Sequence, residues 1–390
     1  MKSKLDRRTF LTGAATAALA GVALSGTALA AEDAAAPAQP APPAYQPPAL
    51  ERALTGPLLV DLEAEAEKIL EPGVFAFIAK GAEKGWTLRE NTRAFDDFQL
   101  LPRYLSAQKE PDLETTLLGH KLSLPVITTP MGAQGLAHAS AEVGMAFGSA
   151  EAGTIMTLST ASNTSIEDVA KAGVGPKWFQ IYLLENDRPG SRALLDRAKA
   201  AGYSAIVFTI DAFAPGSSDA VERLGFSFPP GLAMVNSAGA AFKKSLGWDD
   251  VAFLRESTDL PIILKGLISP GIVERALTMG VAGFQVSNHG GRQLDGVPPA
   301  IKMLPAIVKE VGGAAPVILD SGIRRGSDVF KALALGADAV ALGRPLYYGL
   351  ALGGAEGVAS VYARLKAELA RTMLISGLAS VKEITRGFVA

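Results

Sequence analysis

A unit that recurs eight times after residue 124 constrains the fold of this chain more than any other feature. Each unit begins with a short apolar run rich in β-forming residues, turns through polar or glycine residues, and in most cases continues into a segment with helical periodicity. The runs are LPVITTP, GTIMTLS, PKWFQIYL, SAIVFTID, LPIILKG, AGFQVSNH, APVILDSG and DAVALGRP. Continuous apolar strands that alternate with amphipathic helices indicate a parallel sheet covered by helices. Eight such units predict an α/β fold, a closed (β/α)8 TIM barrel, with an open doubly wound sheet as the alternative.

The start of the chain has the layout of an export signal. Arg7 and Arg8 precede a weakly apolar run of alanine, glycine and leucine, which ends in Ala28-Leu29-Ala30. Paired arginines before such a run, with a small-residue cleavage site after it, are typical of the twin-arginine export route. We therefore expect residues 1–30 to be a cleaved signal peptide and the mature protein to lie in the periplasm or cell envelope. An uncleaved membrane anchor is the alternative.

The next segment, residues 31–57, is rich in proline and alanine and shows no apolar periodicity. Such a composition favours an extended, solvated chain, because it offers little apolar surface to bury. We expect this segment to be a linker. Residues 58–390 are then expected to form one domain that contains the barrel and an N-terminal helical extension.

The composition excludes several kinds of site. The 390 residues carry a formal charge of -2, include no cysteine and include three histidines. A nucleic-acid partner would need a basic surface, so we expect none. Without cysteine there is no disulfide, thiolate nucleophile or sulfur-ligated metal, and three scattered histidines favour no metal site.

Polar or glycine residues follow nearly all of the eight predicted strands. In a barrel of this kind the active site lies at the carboxyl ends of the strands, where such residues meet. We therefore expect a site built from Pro130, Met131, Gly132, Ser159, Gln180, Tyr182, Thr209, Asp211, Lys265, Ser287, His289, Asp320, Gly343 and Arg344.

The ends of the last two predicted strands carry residues that suit a phosphate group. The motif LDSGIRRG brings Gly322 next to Arg324, and ALGRP brings Gly343 next to Arg344. Backbone amides and a guanidinium match a phosphate in charge and geometry, and barrels often hold phosphate at these two strands. Glycine turns with solvated arginines are the alternative interpretation.

His289 and Arg292 stand close together in SNHGGRQLDG, just after the sixth predicted strand. The reference pKa of histidine, about 6.5, suits a general base at neutral pH, and the planar arginine fork suits a carboxylate. A base with a carboxylate clamp is one interpretation, and a histidine that only satisfies hydrogen bonds in a loop is the other. His120, in a predicted turn, and His138, at a predicted helix start, lack such neighbours.

Five motifs together resemble the FMN-dependent 2-hydroxy acid oxidases and dehydrogenases: SNHGGRQLDG, ILDSGIRRG, GADAVALGRP, WFQIY and GLAH. The resemblance covers nearly all of the predicted domain, and the lactate oxidases are the nearest subgroup. It implies FMN as the cofactor and a lactate-like (S)-2-hydroxy acid that is oxidised to the 2-oxo acid. It also implies a homotetramer, with oxygen, a quinone or a cytochrome as electron acceptor. A flavin-binding protein without catalysis is the alternative from another class.

The resemblance also implies roles for individual residues. His289 is implied as the base, and Asp211 as the carboxylate that stabilises its charged form. Arg292 is implied as the clamp on the substrate carboxylate, and Tyr182 as a hydrogen-bond donor to the substrate. The order in which the hydroxyl proton and the α-proton leave stays open. The flavin and its phosphate would be held by Pro130, Met131, Gly132, Ser159, Gln180, Thr209, Lys265, Ser287, Asp320, Ser321, Gly322, Arg324, Gly343 and Arg344. Gly132, beside the reactive flavin nitrogen, leaves room for oxygen and so favours an oxidase.

Three positions depart from the family pattern, and all three concern the substrate. Phe77 and Ala161 stand where relatives place tyrosines, and Ser218 stands where they usually place a second arginine. Arg223 is the candidate substitute for that arginine. Either a 2-hydroxy acid binds in a roomier pocket, or the substrate is a larger or non-standard alcohol. The glycine- and proline-rich loop from Ala212 to Leu246, here named the covering loop, is expected to lie over the site.

Overall fold

The computed structural model describes residues 45–105, 110–173, 175–212 and 216–390, which belong to one compact unit. The predicted signal peptide, residues 1–30, and the first part of the predicted linker lie outside the described residues. None of the helices in the described ranges is both long and apolar enough to cross a membrane.

Residues 45–57, predicted as part of a solvated linker, lie against the barrel. The Tyr45 hydroxyl donates to the Leu136 carbonyl at 2.7 Å, and the Arg52 amide donates to the Gly353 carbonyl at 3.2 Å. Isolated anchors of this kind carry no periodic signal, so the proline-rich composition does not reveal them. The part of the chain that packs on the barrel therefore begins before residue 58.

Three short helices precede the barrel and form the expected N-terminal helical extension: α1 (Leu62–Glu67), α2 (Pro72–Ala79) and α3 (Trp86–Arg93). Pro72 stands in the first turn of α2, where its missing N–H leaves no hydrogen bond unmade. Helix α2 buries most of its side chains, including Phe75. Its last turn is therefore held firmly against the barrel.

An antiparallel hairpin of β1 (Thr115–Leu117) and β2 (His120–Leu122) follows the helices. Leu117 and Leu122 are buried in the apolar cluster inside the barrel, which also contains Trp178. The hairpin therefore closes the amino-terminal end of the barrel. Strands of three residues are too short to give a periodic signal, so the sequence does not predict them.

Each of the eight predicted runs contains one parallel strand. The strands are β3 (Val126–Thr128), β4 (Met156–Ser159), β5 (Lys177–Ile181), β6 (Ile206–Thr209), β7 (Ile262–Leu267), β8 (Gly283–Val286), β9 (Val317–Leu319) and β10 (Ala339–Leu342). They pair in the order β3-β10-β9-β8-β7-β6-β5-β4. The two ends of this sheet meet, because the Thr128 amide donates to the Ile155 carbonyl at 2.9 Å and Met131 forms a bridge with Leu158. The sheet is thus a near-closed barrel, and the open doubly wound alternative does not fit.

Helices cover the outside of the barrel. They are α4 (Ala141–Glu151), α5 (Ile166–Lys171), α6 (Arg188–Ala200), α8 (Trp248–Ser257), α9 (Val273–Thr278), α10 (Ala300–Val311), α11 (Gly326–Ala334) and α12 (Arg344–Ser376), and a further short helix, α7 (Asp219–Arg223), stands between α6 and α8 in the chain. Helix α7 belongs to the covering loop, and α12 breaks at Gly353 and Gly354. Short 3-10 turns occur at Ala94–Asp97, Gln134–Leu136, Pro270–Ile272, His289–Gly291, Val381–Glu383 and Arg386–Phe388. Because a helical crossover follows each strand, all eight carboxyl ends lie on the same side of the barrel.

Candidate active site

A cavity of about 300 Å³ opens at the carboxyl ends of the barrel strands. The predicted residues that line it are Pro130, Met131, Gly132, Ser159, Tyr182, Lys265, His289, Arg292, Asp320, Ser321, Gly322, Arg324, Gly343 and Arg344. The other predicted residues lie directly behind this lining. Gln180 hydrogen-bonds to Ser159, Asp211 to His289, and Ser287 to Lys265. Thr209 is paired with Lys265 on the neighbouring strand. The barrel therefore brings the predicted set together in one place.

His289 and Asp211 form a hydrogen-bonded pair at the cavity wall. Nδ1 of His289 lies 3.0 Å from Oδ1 of Asp211. The His289 backbone is in the left-handed region at φ 59°, and its amide donates to the Ser287 hydroxyl at 3.0 Å. A non-glycine residue in this region costs about 1–3 kcal/mol and persists where its surroundings enforce it, as is common at functional sites. The turn and the carboxylate together fix the position of the imidazole.

The surroundings of this pair shift the pKa values of both side chains. Burial lowers the pKa of His289, the Lys265 charge lowers it further, and Asp211 opposes both, so the pKa lies below its usual 6.5. Burial alone would raise the pKa of Asp211, but the His289 and Lys265 charges outweigh it and bring the pKa below its usual 3.8. At neutral pH the pair is a neutral imidazole beside a carboxylate.

Helix α2 holds Arg292 in place. Nη1 of Arg292 donates to the carbonyls of Phe77 and Ile78, and the guanidinium carbon lies 4.9 Å from the centre of the Phe77 ring. Phe77 packs in turn against Phe226 and Phe228, with ring centres 5.3 Å and 5.1 Å apart. A guanidinium over an aromatic face is stabilised by cation–π attraction. Phe77 thus supports Arg292 through its ring, although it offers no hydroxyl to a substrate.

Ser218 and Arg223 give the described cavity no second carboxylate clamp. Ser218 forms a β-bridge with Glu83 and is not part of the cavity lining. The Arg223 side chain is 75 % exposed and pairs with Asp219 at 3.2 Å. Arg223 therefore does not take the place of the missing arginine in this structure.

Two loops form the remaining wall of the cavity. Ala161 follows β4, and Gly216 and Met234 belong to the covering loop. The loop has no periodic pattern, so the sequence does not single out Gly216 or Met234. A Cβ atom on Gly132 would lie 2.7 Å from the Ala161 carbonyl. Close packing of the β4 loop is therefore a second reason for the glycine, and the room that it leaves for oxygen stays a prediction.

Lys265 and Asp320 form a buried charged pair at the base of the cavity. Nζ of Lys265 lies 3.8 Å from Oδ2 of Asp320 and 3.3 Å from the Ser287 hydroxyl. Gln285 donates to the same Asp320 oxygen at 2.7 Å, and Thr129 does so at 3.2 Å. Gln285 and Thr129 are absent from the predicted set, although both stand at strand ends, where the same signal applies.

Tyr347 is a site residue that no strand-end signal could reveal, because it lies on α12. Its hydroxyl donates to the Ala133 carbonyl at 2.6 Å and lies 3.1 Å from the Gly132 carbonyl. Ala133 has a left-handed backbone at φ 55°. The tyrosine thus holds the strained turn that follows Gly132.

Positive charge collects where the last two strands end. Arg344 donates from all three of its nitrogens to backbone carbonyls. Burial, and then the charges of Arg292 and Arg324, lower the pKa of Arg344 to about 9. Gly343 is the N-cap of α12, and no side chain caps this helix start. An anion in this part of the cavity would relieve the repulsion between the guanidinium groups and would be stabilised by the amino-terminal end of α12.

Comparison with known proteins agrees with this geometry. A family model described as FMN-dependent dehydrogenase matches residues 66–390. The chain belongs to this family. An L-lactate oxidase of Lentilactobacillus hilgardii is 44% identical over 348 residues, which are 86% of this chain and 94% of that protein.

Solved structures agree with the family assignment. A putative lactate oxidase of Pediococcus acidilactici has a TM-score of 0.84 at 43% identity and covers 87% of this chain and 96% of its own. A mandelate oxidase, solved with 3,3-difluoro-2-hydroxy-3-phenylpropionic acid, has a TM-score of 0.80 at 38% identity and covers 85% and 98%. This FMN-dependent dehydrogenase is therefore an oxidoreductase of the 2-hydroxy acid oxidase family.

FMN, the cofactor of this family, fits polar groups that otherwise lack partners. Nε2 of Gln180 and Oγ1 of Thr209 are buried and have no hydrogen-bond partner among the described residues. The Ser159 hydroxyl donates to Oε1 of Gln180 at 2.7 Å, which leaves the amide nitrogen as the free donor. Buried polar groups are nearly always paired, so free groups behind a cavity indicate a polar ligand. The flavin ring, with its nitrogen and oxygen acceptors, is such a ligand.

The other two histidines lie outside the cavity of this FMN-dependent dehydrogenase. His120 is the first residue of β2 rather than part of a turn, and its Nε2 lies 2.8 Å from the Ser204 hydroxyl. His138 lies two residues before Ser140, the N-cap of α4, rather than at the helix start as predicted, and its Nδ1 lies 2.8 Å from the Ser140 hydroxyl. Each of these two histidines has one ring nitrogen in a structural hydrogen bond, Nε2 of His138 is buried without a partner among the described residues, and His289 alone among the three lines the cavity.

Proposed function

We propose that this enzyme oxidises an (S)-2-hydroxy acid, such as lactate, to the 2-oxo acid, with His289 as the base. One observation carries the proposal: the His289–Asp211 pair and Arg292 line or adjoin the same cavity that offers free partners to FMN. A neutral imidazole and a guanidinium in one cavity suit a substrate that carries a hydroxyl beside a carboxylate.

When bound, FMN supplies the acceptor for the two electrons that leave the substrate α-carbon. Nδ1 of His289 is paired with Asp211, so Nε2 is the nitrogen left to take the substrate proton. The Asp211 carboxylate then stabilises the imidazolium. Arg292 binds the substrate carboxylate, and Tyr182 donates a hydrogen bond to the substrate. Lys265, buried at the base of the cavity, would supply positive charge to a bound FMN and so favour its reduced form.

The direct test is an anaerobic screen of 2-hydroxy acids against the FMN-loaded enzyme. We expect (S)-lactate or a larger (S)-2-hydroxy acid to bleach the flavin absorbance, and the (R)-enantiomer of the same acid to leave it unchanged. A flavin that no 2-hydroxy acid reduces would show that the protein binds FMN for another purpose.

A second candidate is a substrate with a larger side chain, and the cavity wall favours it. Ala161 and Met234 line the cavity together with Phe77, and Ala161 leaves space that a tyrosine would fill. A solved relative, the mandelate oxidase, binds a phenyl-substituted 2-hydroxy acid. A kcat/KM for (S)-3-phenyllactate above that for (S)-lactate would favour this candidate, and the reverse order would exclude it.

We further propose that the electrons pass from the flavin to oxygen, as in the related oxidases, with a quinone or cytochrome as the alternative. Peroxide formed in step with substrate loss supports oxygen, whereas turnover only with an added quinone or cytochrome supports a dehydrogenase.

A homotetramer, exported by the twin-arginine route to the periplasm or cell envelope, completes the proposal. Light scattering of the purified enzyme and cell fractionation of an Arg7→Lys, Arg8→Lys variant test these two points.

A further inference from the structure

Residues 232–237 of the covering loop are attached to the loop that follows β4. The Val235 amide donates to the Ser162 carbonyl at 3.1 Å. Nδ2 of Asn236 donates to the Ser162 hydroxyl at 2.6 Å and to the Thr164 carbonyl at 3.1 Å. Asn236 is only 4 % exposed, so these bonds are shielded from water. This segment therefore takes its position from the β4 loop.

Asn163 joins the same segment to a third element, the loop that follows β3. Its Nδ2 donates to the Ala233 carbonyl at 2.9 Å, and its Oδ1 accepts from the Gly135 amide at 2.9 Å. The contact is close, because a Cβ atom on Gly135 would lie 2.7 Å from Cδ1 of Leu232. One carboxamide therefore connects the covering loop with the loop that follows β3.

The Glu142 carboxylate fixes the backbone of Asn163 through hydrogen bonds. This fully buried carboxylate accepts from the Asn163 amide at 3.1 Å, from the Gln134 amide at 3.1 Å and from the Thr164 hydroxyl at 2.8 Å. These three hydrogen bonds hold the buried Glu142 carboxylate in place, because the loss of any one donor would leave a buried oxygen without a partner. The carboxylate thereby sets the distance between the β3 and β4 loops.

Met234 is the residue whose position depends on these contacts. It lines the cavity and stands between Ala233 and Val235, which are both hydrogen-bonded to the β4 loop. Ala161, two residues before Asn163, lines the same cavity. The part of the wall formed by Ala161 and Met234 is thus built on one hydrogen-bonded unit.

We propose that Asn163 is a positioning residue that determines substrate specificity, because it holds Met234 against the cavity and so sets the space for the substrate side chain. The proposal rests on the proposed function, in which this cavity binds a 2-hydroxy acid. Without Asn163, Met234 loses its fixed position, and small acids lose a wall that bulky acids do not need.

The test compares the FMN-loaded wild type with Asn163→Ala and Asn163→Asp. The aspartate variant keeps the acceptor for the Gly135 amide and loses the donor to Ala233, so it serves if the alanine variant folds poorly. In both variants we expect kcat/KM for (S)-3-phenyllactate relative to (S)-lactate to rise about fivefold, the equivalent of one lost hydrogen bond. We also expect hydrogen exchange at the Val235 amide to become faster. Ser165→Ala, which removes the N-cap of α5 in the same loop, is the matched control and should change neither quantity.

The outcomes separate the two claims. A faster Val235 exchange with an unchanged substrate ratio, or an unchanged exchange rate, overturns the role of Asn163. An equal loss of kcat/KM for both acids also overturns it, since general damage would act on both. If no 2-hydroxy acid in the screen reduces the flavin of the wild type, the proposed function fails and the specificity role fails with it, while the exchange rate still shows whether Asn163 anchors the segment.

Discussion

Asp211 and Lys265 act on the pKa of His289 in opposite directions. Lys265 and burial lower this pKa, whereas the Asp211 carboxylate raises it. The proposed base must be neutral to accept a proton, so kcat/KM of the wild type should fall as the pH drops through a value below 6.5. The pH at which kcat/KM falls, the acidic limb of its pH profile, therefore reports how the surrounding charges shift the pKa of His289.

Replacement of Asp211 by asparagine changes this balance in a known direction. Asp211→Asn removes the group that raises the pKa of His289, so the acidic limb of kcat/KM should move to lower pH. The rate of flavin reduction should also fall about 10²-fold or more, because the imidazolium loses its carboxylate. The measurement is a pH profile of kcat/KM for both enzymes. A limb that stays in place or moves to higher pH contradicts the assigned role of Asp211.

Most site residues at or just after strand ends could be predicted from the sequence, whereas those on α12 and in the covering loop could not. Lys265 and His289 follow apolar runs, and the barrel turns every such position toward one cavity. Tyr347 reaches the cavity from a helix, and Met234 reaches it from a loop without periodicity. Ser218 shows the same limit of sequence prediction. It is matched by alignment, within a long loop, to the second arginine of the relatives, but it does not line the cavity.

The barrel places residues that stabilise the fold at one end and residues that line the cavity at the other. The apolar runs predict all eight strands, because a parallel strand buried on both faces is apolar throughout. The hairpin of β1 and β2 is not predicted, since each strand has only three residues. It lies at the amino-terminal end of the barrel, whereas the cavity lies at the carboxyl end.

A substitution in the hairpin should therefore affect stability without affecting catalysis. Leu117 is 2% exposed inside the barrel, so Leu117→Ala should lower the free energy of unfolding by about 2–5 kcal/mol. Its kcat/KM should stay at the wild-type value. Denaturant unfolding of the FMN-loaded enzyme measures the first quantity, and Leu374→Ala, at a 45% exposed position, is the control with little expected effect. A large loss of kcat/KM in a folded Leu117→Ala enzyme would show that the two ends of the barrel are coupled.

On the scale of the whole molecule, the segment 45–57 belongs to the folded unit. Besides the contacts of Tyr45 and Arg52, Oε2 of Glu51 accepts from the Ala355 amide at 2.8 Å. These contacts join the segment to the β3 loop and to α12, which are far apart in the chain. Composition predicted a linker here, because a sequence window reports the local preference of the chain and not the distant groups that it meets.

Truncation tests this assignment. A chain that starts at residue 58 should have a Tm several degrees below that of a chain that starts at residue 45, since it loses these hydrogen bonds and leaves their partners unpaired. Thermal unfolding of both FMN-loaded chains makes the comparison, and the chain that starts at residue 45 is the matched control. Equal Tm values would mean that the segment contributes nothing to the folded unit.

The central claim is that His289 takes the proton while a 2-hydroxy acid is oxidised, and single-turnover flavin reduction tests it most directly. The FMN-loaded wild type and His289→Ala are mixed anaerobically with the (S)-2-hydroxy acid that the screen identifies, and the loss of flavin absorbance is followed by stopped flow. We predict that the variant retains its FMN and reduces it about 10²–10⁴-fold more slowly, the usual contribution of a positioned base. A variant that reduces its flavin at the wild-type rate would contradict the account.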